Sequence, residues 1–476
     1  MGQKIDLAVI GSGGAAFSAA IRARNLGKSV VMIERSTVGG TCVNIGCVPS
    51  KALIVAAESR HVAADAPVRF PGIATAAGPV DMPGLIRGKQ SLVESLRSAK
   101  YVELAESYDW PIRHGVASFV GTPDAPALRI IGPDGTSEVL EAAHYLVATG
   151  AEPWIPSVPG LDQVDFLTST TAMELTEVPE SLLILGGGYV ALELAQLFAR
   201  LGSTVTMLVR SRLASAEEPE VNQVLESVFA DESITVVRRA QLATITQDQA
   251  TGEVTATASV EGRASQFLAQ RVLVALGRRP VTDALNVETV QVQTGSGGEI
   301  VVDDSLATTN PRIWAAGDVT GHPEFVYVAA HHGAMVVDNA FTGAARTVDY
   351  SHLPRVTFTS PAIGAVGMTE KQAMAAGYRC NCRVLQLDHV PRAMVNRDTR
   401  GFIKVVIDDD TGRILGITAV AKDAGELANA SVFLLDGQRT YHDVATMWAP
   451  YLTMAEGIKL ACQSFTTDPT KLSCCA

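Results

Sequence analysis

What this chain is short of narrows its function first. Only seven of its 476 residues are cysteine: Cys42, Cys47, Cys380, Cys382, Cys462, Cys474 and Cys475. So sparse and odd a set makes no disulfide framework, and it suits a reducing cytoplasm with working thiols. Basic charge is also scarce. With 38 Lys and Arg against 50 Asp and Glu, the net charge is −12, which argues against the basic face that a nucleic-acid binder needs. No apolar run reads as long enough to span a bilayer, so no membrane is expected. Met1 to Lys4 leads straight into a strand-like segment and leaves no room for a signal peptide. Charged residues make up 18% and apolar residues 47%, which predicts a large core rather than disorder.

What is present is glycine in two repeated patterns. Ile5 to Ile10 reads as a strand, followed by Gly11-Ser12-Gly13-Gly14-Ala15-Ala16 and an alanine-rich helix to about Leu26. In G-x-G-x-x-A, Gly11 allows the tight turn, Gly13 lets backbone approach a pyrophosphate, and Ala16 lets helix pack on strand. The helix N-terminus offers free N–H groups to the phosphates. The next strand, Ser29 to Ile33, ends at Glu34, an acid placed to accept hydrogen bonds from an adenosine ribose. The pattern recurs at Leu183 to Ala191, with Gly186 and Gly188 in the same places. There the following strand, Thr204 to Val209, ends in Arg210 rather than an acid. Arginine suits the 2′-phosphate of NADP, although a solvated arginine at a strand end reads the same way.

Between the two patterns lies Gly39-Gly40-Thr41-Cys42-Val43-Asn44-Ile45-Gly46-Cys47-Val48-Pro49-Ser50-Lys51. A C-x4-C pair falls within disulfide reach if the chain turns tightly or enters a helix there, and Lys51 nearby favours thiolate. Alone, the pair is equally readable as stray structural thiols or half of a zinc site. Beside two dinucleotide patterns it points to hydride chemistry, passed through a flavin to a dithiol.

The remaining segments fill in the architecture. Ala52 to about His61 reads as a helix and Val62 to Pro79 as irregular. A second helix carries Leu85, Leu92, Leu96 and Ala99 on one face and ends near Lys100-Tyr101. Pro133-Asp134-Gly135 marks a hairpin, and Pro153 to Pro159 reads as a linker. Ile313 to Asp318 is a strand ending in Gly317-Asp318, followed by a helix from Val328 to Phe341. Beyond Leu353 the texture becomes α+β. Cys462 reads as core, His331, His332 and His442 as structural, and Cys380 and Cys382 as incidental thiols rather than a metal site. The expected class is α/β: two Rossmann-like domains, the second inserted in the first, and a C-terminal α+β domain. The boundaries fall at 1–157, 158–279, 280–350 and 351–476.

The motifs at 39–51, Ala148-Thr149-Gly150, Gly186 to Glu193 and Ala315 to Asp318 resemble the pyridine nucleotide–disulfide oxidoreductases over the whole chain. The resemblance implies FAD in the first domain, NADPH in the second and a homodimer built by the third. It implies that Asp318 bonds the ribitol chain, that Lys51 pairs with Glu193 beside the flavin, and that Thr41, Ala117 and Val326 contribute flavin contacts. Cys47 would be the thiol nearest the flavin and Cys42 the exchanging one. Thiol-exchanging members carry a histidine before a C-terminal proline as acid–base, but here Ala449 precedes Pro450. Losing a base that titrates near neutrality makes a disulfide reductase of the thioredoxin, glutathione or lipoamide type the weaker alternative. A non-catalytic metal-buffering protein would not explain two nucleotide sites. Ala449-Pro450-Tyr451 and the Ser473-Cys474-Cys475-Ala476 end are similar instead to the mercuric reductases of this family. That likeness implies Hg(II) as substrate. The metal would be delivered by Cys474 and Cys475 to Cys42 and Cys47 of the other subunit, past Tyr101 and Tyr451. Many such enzymes begin with a heavy-metal-binding domain, whereas this sequence opens at the flavin domain.

Overall fold

The computed structural model describes residues 5–471; Cys474 and Cys475 lie outside them. Five strands form the first sheet, all parallel, in the order Ile313–Ala315, Ala142–Val147, Ile5–Ile10, Val30–Glu34, Ile112–His114. The chain leaves this sheet after Ala142–Val147 and returns only at Ile313–Ala315. Between them lies a second parallel sheet, ordered Thr235–Arg238, Thr204–Val209, Ser181–Leu185, Arg271–Val274. One dinucleotide-binding fold is thus nested inside another. Ala151–Pro153 and Arg278–Pro280 carry the chain out and back, and they pair antiparallel, so the proline-rich exit is partly strand as well as linker. A five-stranded antiparallel sheet, ordered Arg355–Thr357, Ala362–Gly367, Ile414–Ala421, Phe402–Asp408, Cys380–Gln386, forms the C-terminal α+β unit.

Small side chains explain how the first sheet is covered. Ala15, Ala16, Ala19, Ala20 and Ala23 of the helix Gly14–Asn25 are all buried. They allow the helix Val326–Thr342 to come so close that a Cβ at Gly333 would sit 2.0 Å from the Ala15 carbonyl oxygen. Cys462 is fully buried, as expected of a core thiol.

Three local expectations need correction. The helix opening at the dithiol runs Cys47–Arg69 with Pro67 inside it, so 62–69 is not irregular. Pro67 has no N–H for the Ala63 carbonyl, and the Thr75 hydroxyl donates to that oxygen instead, at 2.7 Å. With the short helix before it, the run Gly40–Arg69 is long and apolar enough to cross a membrane by length and composition. The helix Met82–Arg97 buries Met82, Lys89 and Val93, while Leu92 is exposed. It does not stop at Tyr101 but widens into a π-turn over Ser98–Val102 and continues as Glu103–Ser107.

The C-terminal unit docks on the nested domain through a buried cation. Lys404, on a strand whose other residues are also buried, places Nζ 3.2 Å from Glu218, 2.9 Å from Glu220 and 2.8 Å from Glu370. Burying an ammonium costs several kcal/mol unless carboxylates surround it, and here three do.

Candidate active site

The dithiol segment is pressed against the first glycine loop. Gly40 has φ +67°, and a Cβ there would lie 2.5 Å from Gly13 Cα; only glycine permits that approach. The Ser12 hydroxyl ties the parts together, donating to Glu34 at 2.6 Å and accepting from the Gly39 N–H at 3.1 Å. Gly11, at φ +105°, would drive a Cβ to 2.3 Å from the Ala148 carbonyl oxygen. Gly13 caps its helix with no side-chain hydrogen bond, so the first-turn N–H groups face a cleft lined by Gly13, Thr41, Ala316 and Asp318. Ala16 is fully buried beneath that loop. An adjoining cleft holds Gly11, Glu34 and Ala117. Glu34 already accepts from Ser12 on one oxygen and from Ser36 on the other, yet a carboxylate has about four acceptor positions. These features fit a dinucleotide: open backbone donors for pyrophosphate at one place and a buried acid for ribose at the other.

The two thiols open onto the same cleft as Asp318, Lys51, Glu193 and Val326. Cys42 sits in the short helix Gly40–Asn44, and Cys47 is the first residue of the helix Cys47–Arg69. A helix N-terminus favours a thiolate. The Cys42 thiol donates to Cys47, and this is the largest influence holding Cys47 down to about 6; burial works against it, and the Lys51 charge helps less. That same hydrogen bond drives Cys42 far up. Of the pair, Cys47 is the more acidic thiol and Cys42 the less. Lys51 was expected to be the activator, but its Nζ lies 2.7 Å from Glu193, which is only 6% exposed, and 4.6 Å from the Phe358 ring centre. The other Glu193 oxygen accepts from the Phe358 N–H at 2.9 Å. Most of the lysine charge is spent on that carboxylate.

Burial pushes the Asp318 carboxyl up and Arg278 partly offsets it. Tyr101 stands over the dithiol turn. Its ring packs edge-on against Phe17 at 4.8 Å, and its phenol is pushed up by burial and by charge on Cys42 and Cys47. Spacing carried no hint of this, because the π-turn that presents Tyr101 is not periodic. Tyr451 is 47% exposed and does not line this cleft within one chain.

The second glycine loop opens onto a neighbouring cleft with Gly186, Gly188, Arg210 and Arg212. Gly186 has φ +131°, and its Cβ would meet the Ala275 carbonyl oxygen at 2.3 Å, whereas a Cβ at Gly188 would meet nothing within 4 Å. The loop is tight behind and empty in front. Arg210 is exposed. Arg212, two residues on at the same strand end, donates to the carbonyls of Ser215 and Glu217 and keeps a buried Nη1 without a partner among the described residues. An unsatisfied buried guanidinium nitrogen suits an anion. Tyr189, Arg278 and Glu324 line both clefts, so the second cleft adjoins the one that holds the dithiol. Arg278 and Glu324, 3.6 Å apart, had no signature in the sequence.

A nested pair of dinucleotide folds whose adjoining clefts hold a dithiol defines a redox class, and the comparisons agree. Residues 5–333 match the Pyridine nucleotide-disulphide oxidoreductase family and residues 353–462 match its dimerisation domain. The chain belongs to that family: it is an oxidoreductase, a flavoprotein and a homodimer. Within the family the chain is similar to mercuric reductases. It is 56% identical to that of Streptomyces lividans, over 99% of this chain and 98% of the other. It is 45% identical to that of Lysinibacillus sphaericus, over 99% and 84%. Among solved structures it is similar to a Cu(II) complex of the HOCl-induced flavoprotein disulfide reductase RclA from Escherichia coli (TM-score 0.86, 28% identity, 98% of this chain and 100% of the other). It is also similar to LpdA from Mycobacterium tuberculosis (TM-score 0.86, 26% identity, 97% and 100%).

Proposed function

We infer that the protein reduces Hg(II) to Hg(0) with electrons from NADPH. The observation that carries this reading is a cleft where Cys42 and Cys47 lie beside the first glycine loop and share Tyr189, Arg278 and Glu324 with the cleft of the second, in a chain with Ala449 where a thiol-exchanging relative would hold its base. FAD would be held by Gly11, Gly13, Glu34, Thr41, Ala117, Asp318 and Val326, and NADPH by Gly186, Gly188, Arg210 and Arg212. Bound there, the two would supply a hydride and relay its two electrons.

The chain's own residues account for the handling of metal. Hg(II) held by two carrier thiolates exchanges onto the inner pair: the Cys47 thiolate displaces one carrier and Cys42 the other. The Cys42 proton leaves on a carrier thiol, so two sulfurs are lost by the metal as two are gained. Two electrons then convert the metal to Hg(0), which thiolates hold poorly. The sulfurs are left as a thiolate pair, and Cys42 takes up a proton. Lys51, fixed by Glu193, keeps a positive charge beside the cleft without competing for the metal. Cys474 and Cys475 of one subunit would strip the carriers and pass the ion to the inner pair of the other, with Tyr101 and Tyr451 along the route. A reducing cytoplasm would keep all four thiols available.

The test is NADPH oxidation by purified protein offered Hg(II) with glutathione, oxidised glutathione, or oxidised thioredoxin. Mercury-dependent turnover with little reaction on either disulfide is expected. Faster turnover on a disulfide than on Hg(II) overturns the reading.

A further inference from the structure

Two thiols lie outside the redox cleft. The strand Cys380–Gln386 is the edge of the C-terminal sheet, bonded on one side to Phe402–Asp408. Alternate residues of a strand face the same way, and Cys380 and Cys382 both pack on a small patch of Ala373, Val406, Leu415 and Met368. Both are partly exposed. Both also have one neighbour in common: Cys380 Sγ lies 3.9 Å from the Glu370 carbonyl oxygen, and the Cys382 thiol is pushed up by burial and by the charge of Glu370. Neither thiol lines a nucleotide cleft.

Spacing decides what such a pair can do. Same-face neighbours on a strand stand about 6.6 Å apart, while a disulfide needs Cβ atoms about 3.5–4.5 Å apart. The pair is too far apart to oxidise in place. A linear bis-thiolate asks for less closure, because its sulfurs stand about 4.6 Å apart if each bond is near the 2.3 Å of a zinc thiolate. Two Sγ atoms leaning together span that gap. Among the described residues, no group of three or more His, Cys, Asp or Glu could hold a metal ion, so an ion that wants four ligands is poorly served. Soft ions content with two thiolates remain. Charge selects in the same direction. Glu370, Glu218 and Glu220 converge on Lys404 just behind the pair, and another bare anion there is unwelcome. A dication that replaces both thiol protons leaves the net charge of the site unchanged.

The geometry points to a second soft-metal site, Cys380 and Cys382, that takes Hg(II) as a linear bis-thiolate. Two carrier thiolates leave the metal as the two cysteine sulfurs bind, and they take up the two cysteine protons. Lining neither nucleotide cleft, the site stores the ion without reducing it. It stands apart from the redox reading, and its test is run on protein that cannot perform the redox reaction.

The probe is Hg(II) with excess glutathione, added to flavin-loaded dimer carrying Cys42→Ser, Cys47→Ser, Cys474→Ser and Cys475→Ser. Native mass spectrometry should find one mercury per chain and no attached glutathione. Adding either Cys380→Ser or Cys382→Ser should abolish it. No retained mercury, a glutathione–mercury adduct on one cysteine, or mercury persisting after both serines are added, which would place it on Cys462, each overturns the proposal. X-ray absorption of the mercury in the four-serine protein needs no further substitution and should show two sulfur ligands. Any other sulfur count overturns it. In the otherwise native enzyme, Cys380→Ser with Cys382→Ser should keep NADPH-dependent Hg(II) turnover within about twofold. Loss of turnover with an intact flavin spectrum refutes the separation from the redox cleft.

Discussion

Removing the Cys42 thiol should raise the acidity midpoint of Cys47 more than removing the Lys51 charge does. In the native pair Cys47 titrates near 6 rather than the ordinary 9.0, chiefly because Cys42 donates a hydrogen bond to its thiolate. A lowered value means that the thiolate is present above that pH and lost below it. At pH 7 about nine-tenths of Cys47 is then thiolate, against about one-hundredth of an ordinary thiol. Intrinsic nucleophilicity falls with pKa at a Brønsted slope of about 0.4–0.5, which takes back roughly 15- to 30-fold over three units. The net gain at pH 7 is only a few-fold, so raw speed is a poor signature and the midpoint a good one. The assay is iodoacetamide alkylation of reduced enzyme from pH 4.5 to 9, followed on the Cys47 peptide by mass spectrometry. Cys42→Ala leaves Cys47 with partial burial, the Glu193 charge and the helix N-terminus, and its midpoint should climb back towards the ordinary range. Lys51→Met should move it less, because that ammonium already sits 2.7 Å from Glu193. A native midpoint near 9, or a larger shift for Lys51→Met than for Cys42→Ala, refutes the reasoning.

Arg210→Glu should cost NADPH roughly 10- to 100-fold in KM, the worth of one charged hydrogen bond to phosphate, while NADH changes little; initial rates with the two nucleotides check this. Cys474→Ala with Cys475→Ala should cripple turnover of glutathione-bound Hg(II) yet spare the rapid loss of flavin absorbance on adding NADPH, seen by stopped flow. Lys404→Met should destabilise the fold by about 3–5 kcal/mol, the cost of stranding the buried Glu218 carboxylate, measured as a fall in the denaturant midpoint. Changing Glu218 and Glu220 to Gln in the same chain should recover part of that loss.

Much of the molecule is set locally and was therefore legible in the linear chain. Gly11 and Gly186 adopt positive φ in turns where a Cβ would strike backbone, so the glycine spacing around them announces the two nucleotide loops. The strands feeding those loops are short apolar runs, and their order along the chain dictates that one sheet is nested in the other. Cys42 and Cys47 declare themselves by lying between the loops. Other features depend on contacts between distant segments, and no local pattern encodes them. The helix passes Pro67 because Thr75 serves the stranded carbonyl of Ala63. Tyr101 reaches the thiols on a π-turn, which breaks the periodicity that a sequence reading follows. Lys404 looks like an error in an apolar strand until Glu218, Glu220 and Glu370 arrive from elsewhere. Lys51 shows the difference most clearly: its position beside the cysteines suggested an activator, but Glu193, 142 residues along the chain, takes most of its charge. The acidity of Cys47 is decided by the fold, because a hydrogen bond from Cys42 and the start of a helix act at contact distance, where position in the chain counts for nothing.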